Sequence, residues 1–206
     1  MAYRDSTKYE KMARLAIDIY IDYNITEFPI KAKDIAKRMG FDFIFYSDLD
    51  EETRTLMIKL SDDGVNYPHM TGPNCIRTIY INDTIQSNGR KDTSVFHEIK
   101  HIVEYDCETD DEELNEENED LANFFGKYMK CPIPYLIYCG YDNEFDIMSK
   151  FGVSQEMAKN VLKSMRGRIN KYNNSIFDYE VPLLELLLGD KLDKSSFSVI
   201  SSKSSS

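Results

Sequence analysis

The chain has 206 residues, of which 42% are hydrophobic, 30% charged and 12% aromatic, and 36 acidic against 25 basic side chains give a formal net charge of -11. That composition suits one soluble domain, or one with a small appendage, and argues against a disordered chain; no run of about 18 apolar residues exists to span a bilayer. The start, MAYRDSTKYEKM, has no apolar stretch followed by a small-residue cleavage site, so a cytoplasmic protein is expected, and Cys75, Cys107, Cys131 and Cys139 lack the CxxC spacing of a disulfide framework or an all-cysteine zinc site.

In chain order, Met12, Leu15, Ala16, Ile19, Tyr20 and Tyr23 form the i, i+3, i+4, i+7 stripe of an amphipathic helix. A second short helix fits Ile30 to Met39, with Pro29 at its start and Gly40 where a left-handed cap would end it. Phe41 to Tyr46, Thr55 to Leu60 and Arg77 to Asn82 are β-rich runs separated by polar segments, and they predict a small three-stranded sheet. Val95, Phe96, Ile99, Ile102 and Val103 predict a helix from about Thr93 to Tyr105. An acidic loop follows, and Leu121, Phe124, Phe125 and Tyr128 continue a helix that begins near Glu116 and stops before Pro132, whose ring cannot continue it.

Two more helices fit Glu144 to Lys150 and Gln155 to about Arg168, joined by Phe151-Gly152-Val153-Ser154 with Ser154 as the second N-cap; the pair is helix-turn-helix-like. Val181 to Leu188 predicts a last helix, and the Ser-rich tail is expected to be frayed. The expected organisation is α+β: a mostly helical core with the small sheet over residues 1–140, a helical extension packed on it over 141–192, and a flexible tail over 193–206.

Charge is unevenly placed. Between Ile102 and Gly126 there is no Lys or Arg, while eleven acidic residues carry a charge equal to that of the whole chain, so the remainder is formally neutral. Net charge alone therefore does not exclude nucleic acid.

His97-Glu98-Ile99-Lys100-His101 is an HExxH motif on a predicted helix. Four residues make just over one turn, about 6 Å of rise, so two imidazoles on one face can converge on one ion, with Glu98 about 100° round the helix. That arrangement suits hydrolysis: two imidazoles and a third protein ligand hold Zn2+, a fourth position stays open for water, and Glu98 acts as general base. Only three histidines occur, two of them in the motif. The competing reading is a helix with two exposed or hydrogen-bonded histidines.

By chemistry alone the acidic segment offers many third ligands; helical geometry narrows them to Glu119, three residues before Ala122, a small residue that lets two helices approach. The other carboxylates read as solvated, and no EF-hand pattern is present. The third histidine, His69 in Asn66-Tyr67-Pro68-His69-Met70, reads as a surface loop residue rather than an oxyanion stabiliser.

From about residue 9 to 165 the chain resembles the ImmA/IrrE-type zinc metallopeptidases of bacteria and their mobile elements. The linked motifs are Ile79-Tyr80-Ile81-Asn82 before the HExxH, Glu119-Asp120-Leu121-Ala122-Asn123-Phe124-Phe125-Gly126 followed by Pro132, and Phe151-Gly152-Val153-Ser154 followed by Ala158. The resemblance implies a zincin-like core, His97, His101 and Glu119 as zinc ligands, and Glu98 as catalytic acid/base. Mn2+ is the alternative occupant, since availability decides as much as affinity. It also implies a site-specific protease that cleaves a helix-turn-helix repressor, typically encoded beside it, and so relieves repression of a prophage, conjugative element or stress regulon. Departures are Phe96 for a small residue, Thr93 for an aromatic one, Gly126 for Ala and Met129-Lys130-Cys131 for Leu-Leu-Met; they touch packing and the pocket wall rather than the ligands.

An extended substrate could add to the edge of the small sheet, and Lys or Arg near the cut would suit the acidic residues Asp110 to Glu113. Two rival readings set proteolysis aside. In one, the basic stretch Gln155 to Tyr172, with Lys159, Lys163, Arg166, Arg168 and Lys171 against Glu156, binds DNA directly. In the other, the chain binds the repressor without cutting it.

Overall fold

The central strand of the main sheet is Asn74–Ile81, and its burial explains where the rest of the sheet forms. Thr78, Ile79 and Ile81 are almost wholly enclosed, as expected of a strand covered on both faces. The computed structural model describes residues 6–71, 74–84, 88–105 and 111–201. It divides into two compact units, residues 31–126 and residues 1–30 with 127–206.

In the unit of residues 31–126 the order is α2 (Ala32–Arg38), β1 (Asp42–Phe45), α3 (Glu51–Leu60), β2 (Gly64–Thr71), β3 (Asn74–Ile81), α4 (Asn88–Val103) and the first part of α5 (Glu112–Lys130). The sheet has the order β1-β3-β2, with β1 parallel to β3 from Asp42↔Thr78 to Phe45↔Ile81 and β2 antiparallel to it from Gly64↔Ile81 to Thr71↔Asn74. Helix α4 packs on β2 and β3, burying Val95, Phe96, Ile99 and Ile102. Its N-terminal half is tied to α2, because Asp92 Oδ1 accepts from the Ala32 N–H at 3.0 Å, satisfying a donor that the first turn of a helix leaves unpaired.

Two expectations for this unit are corrected. The run Thr55 to Leu60 is not a strand but the second half of α3. Asp50 caps that helix by accepting from the Thr53 N–H at 2.9 Å, and Glu51 and Glu52 in the first turn suit its dipole. The alternating Leu56, Ile58 and Leu60 that suggest a strand are all exposed, so no sheet face selects them. The third strand is instead β2, whose Gly64, Asn66 and Pro68 are poor strand formers but are tolerated on an edge. His69 therefore lies in a strand, opposite Ile76, rather than in a loop, and its side chain is outside the described residues.

The second correction concerns the acidic segment. Helix α5 begins at Glu112 and not near Glu116, with Asp111 Oδ1 accepting from the Leu114 N–H at 3.1 Å, so Glu112 to Asn115 are helical rather than loop residues. Acidic side chains in the first turn complement the partial positive charge of the helix N-terminus. Asp106, Glu108 and Asp110 lie outside the described residues.

In the other unit, α1 (Ser6–Asp22), the end of α5, α6 (Ile133–Cys139), α7 (Glu144–Phe151), α8 (Gln155–Tyr172) and α9 (Val181–Leu188) supply the helices. The α7–α8 pair forms as expected: Gly152 has φ +62 in the left-handed cap, and Ser154 Oγ accepts from the Met157 N–H at 3.2 Å. Ile147, Phe151, Ala158, Val161 and Leu162 form the core between the two helices. The tail is not frayed from Ser195 onward: β5 (Val199–Ile200) pairs in parallel with β4 (Ile176–Phe177), while residues 202–206 lie outside the described residues. Among the described residues no helix is long and apolar enough to cross a membrane.

Within the first unit, α4 and α5 pack tightly at Gly126, where an added Cβ would lie 3.0 Å from the Thr93 carbonyl oxygen and 3.3 Å from its methyl group. Two departures from the family pattern, Thr93 and Gly126, thus face each other. Gly126→Val is expected to destabilise the protein by about 1–3 kcal/mol through overpacking. Thermal unfolding of the variant should show a lowered midpoint; an unchanged or raised midpoint would mean that the helices have room to separate.

Candidate metal centre

Helical geometry brings His97 and His101 to the same face of α4, and the two Nε2 atoms lie 3.0 Å apart with ring centroids separated by 4.7 Å. Phe96 and Ile99, both fully enclosed, anchor the opposite side of the helix and so fix the direction in which the imidazoles point. Glu119 on α5 meets them from across the cleft: Oε2 is 3.1 Å from His97 Nε2 and Oε1 is 3.2 Å from His101 Nε2. Each carboxylate oxygen therefore faces a different ring.

The register of α5 against α4 is held one residue before Glu119. Lys100 is 1% exposed, and its ammonium donates to the Asn118 carbonyl at 3.3 Å. A buried ammonium needs such a partner, so this contact joins the two helices beside the site. Ala122, one turn on from Asn118, is completely enclosed, in keeping with its expected role as a small packing residue.

His97, His101 and Glu119 can be tested as a cation site from their own spacing. Donors at about 2.0–2.2 Å from a tetrahedral zinc ion lie about 3.3 Å from one another; the two nitrogens are 3.0 Å apart, and each has a different oxygen of Glu119 at 3.1 or 3.2 Å, so the nitrogen pair and each nitrogen–oxygen contact come close to that value. Two imidazole nitrogens facing at this distance cannot both carry a proton between them, whereas a shared cation suits all three donors. The set of two nitrogens and one carboxylate oxygen matches Zn2+ and also accepts Mn2+. Hydrogen bonds from His101 and His97 hold the Glu119 carboxyl well below the usual carboxylate range. This is the group of His, Cys, Asp and Glu side chains that converges in this way among the described residues.

Glu98 is adjacent but faces differently. It is 7% exposed, and its Oε2 accepts two hydrogen bonds from one residue of β2, the Asn66 backbone N–H at 2.9 Å and the Asn66 side-chain amide at 2.7 Å. Burial raises the Glu98 carboxyl above its ordinary value, opposed by the Asn66 side chain and by the charges of His97 and His101. A cleft of about 290 Å³ opens beside these groups, lined by Thr93, Ser94 and Asn123 and by Arg90 and Asp63, which pair at 2.7 Å.

The four site residues expected from the sequence are thus gathered in one unit, Glu119 included. Asn66 and Lys100 are the residues that the sequence reading missed. Asn66 had a signal, an asparagine in a strand beside Pro68, but only an assigned strand makes that signal visible. Of the basic residues attributed to the DNA-binding rival, Arg168 is excluded: it is bonded through two nitrogens to the enclosed carboxylate of Glu180. Lys159, Lys163, Arg166 and Lys171 are exposed.

The family described as the IrrE N-terminal-like domain, a family of peptidases, matches residues 44–163, a span that runs from the end of β1 through β2, β3 and both site helices to the middle of α8. No curated protein and no solved structure matches the chain.

If the three side chains form a cation site, native mass spectrometry of the zinc-supplied protein should count one zinc per chain, retained in Glu98→Gln and lost in His101→Ala. Tight retention in His101→Ala would count against this set of ligands.

Proposed function

The chain belongs to the ImmA/IrrE family of metallopeptidases, and we propose that it is a zinc-dependent, site-specific endopeptidase that acts as an antirepressor by cutting a helix-turn-helix transcriptional repressor. The observation that carries this reading is the convergence of His97, His101 and Glu119 next to a buried carboxylate, Glu98, that is not itself one of the three. A zincin-like core is part of the proposal, supported by the packing of α4 against a small mixed sheet whose edge strand β2 runs antiparallel to β3.

In this reading His97, His101 and Glu119 hold the cation. When bound, it supplies Lewis-acid chemistry to a water and to the scissile carbonyl. Glu98 takes the proton from the attacking water and passes it to the leaving amine. Among the described residues Oε1 of Glu98 accepts no hydrogen bond, so it is the oxygen available for that proton, while Oε2 is held by Asn66. The site is roofed only in part: the imidazoles are 17% and 13% exposed and Glu119 58%, which leaves an approach for a peptide chain.

An extended substrate along the outer side of β2 is part of the proposal. Asn66 turns its N–H away from β3 toward Glu98, and Pro68, two residues on, turns the same way. The N–H that proline lacks therefore falls on the free edge and costs no bond to β3, and with the Asn66 N–H given to Glu98 neither residue offers an N–H to a neighbouring strand. A substrate segment adding there would lie alongside the carboxylate and the cation ligands. Exposed Asp111, Glu112 and Glu113 at the start of α5 suit a basic residue near the cut, and an intracellular repressor as substrate places this activity in the cytoplasm.

The test is incubation of the zinc-loaded protein with the helix-turn-helix repressors encoded near its own gene, followed by intact-mass analysis. One repressor should be cut at one position, and Glu98→Gln should cut it about 10²–10⁴-fold more slowly. Antirepression by Glu98→Gln at full strength, with the repressor intact, would favour binding without cleavage. A salt-dependent shift of DNA that survives metal removal would favour the DNA-binding reading.

A further inference from the structure

We propose that Asn66 is the positioning residue of the general base, fixing the carboxylate of Glu98 so that one oxygen alone is presented to the reacting water. The inference rests on the peptidase reading above and adds a residue to it.

The last torsion of a glutamate side chain is soft, with a broad, roughly two-fold profile, so a glutamate left alone samples many carboxylate orientations. Here two donors from one residue end on the same oxygen, the Asn66 N–H at 2.9 Å and its Nδ2 at 2.7 Å from Oε2. Two bonds to one oxygen fix both the position and the plane of the group, and they also satisfy a carboxylate that is 7% exposed. Oε1 is then the remaining acceptor.

Asparagine suits this task. Its backbone N–H points to the free edge of β2 because the ladder with β3 does not use it, and its side chain is short enough to fold back to the same acceptor. Aspartate has the same shape but places a second carboxylate against the first. Alanine keeps the backbone donor and removes the amide. An asparagine is otherwise a poor strand residue, and the carboxylate across from it supplies the reason for its presence.

Two measurements test the proposal. In nitrogen-resolved NMR of the metal-free protein, the backbone and side-chain amide signals of Asn66 should lie downfield and move upfield in Glu98→Ala; no response of either signal would overturn the pairing, whatever the activity. In cleavage assays, Asn66→Ala should lower kcat roughly 10–100-fold with KM within about twofold and the bound metal unchanged. Asn66→Asp should be worse than Asn66→Ala. A residue needed only for packing would show the reverse order, because aspartate keeps the shape of asparagine, and that order would overturn the positioning role while leaving the peptidase reading intact. A wild-type protein that binds zinc and cuts no repressor would remove the peptidase reading, and the positioning role with it, even if the NMR response is seen.

Discussion

A glutamate side chain has limited reach, so its carboxylate meets two imidazoles on a neighbouring helix only if the two helices pack side by side. The contacts between α4 and α5 run in opposite chain directions: His101 and His97 meet Glu119, Lys100 meets the Asn118 carbonyl, and Thr93 meets Gly126. Gly126 has no side chain to hold the helices apart, and a Cβ there would press on a backbone oxygen that cannot swing away. Ala122, fully enclosed, keeps the same face narrow between Glu119 and Gly126. The spacing of the three side chains is thus set by small residues that are not among them.

Around this approach, each buried charge has a specific partner. Glu98 is answered by both donors of Asn66, and Lys100 by a backbone carbonyl of α5. Unpaired, either would cost several kcal/mol on burial, so each is a strong constraint on where its element can sit. Asn66 ties β2 to the α4 helix, and Lys100 ties α4 to α5. The sheet, the motif helix and the helix of the third side chain are consequently locked to one another by groups that flank the reactive ones.

Much of this was legible in the sequence because amphipathic helices state their period directly. Met12 to Tyr23, the α4 stripe, the α7–α8 pair with Ser154 at its cap, and Val181 to Leu188 each form where their spacing places them. HExxH is legible for the same reason, since its meaning lies within one turn. What failed were elements decided by tertiary context. Leu56, Ile58 and Leu60 alternate like a strand, yet the Asp50 cap starts a helix through them and no sheet face recruits them. β2 holds Gly64, Asn66 and Pro68 and looks like a loop until β3 pairs with it. Helix α6, rich in aromatic residues and following Pro132, and the short β4–β5 pairing had no periodicity long enough to read. Glu119 was reachable from the sequence through a small residue and a family resemblance, whereas Asn66 required the strand register.

The most direct measurement is X-ray absorption at the zinc edge of the zinc-loaded protein. Ligation by His97, His101 and Glu119 requires only nitrogen and oxygen neighbours at about 2.0–2.2 Å, with the outer-shell scattering of two imidazoles. A sulfur shell near about 2.3 Å, or a spectrum with no imidazole scattering, would contradict it.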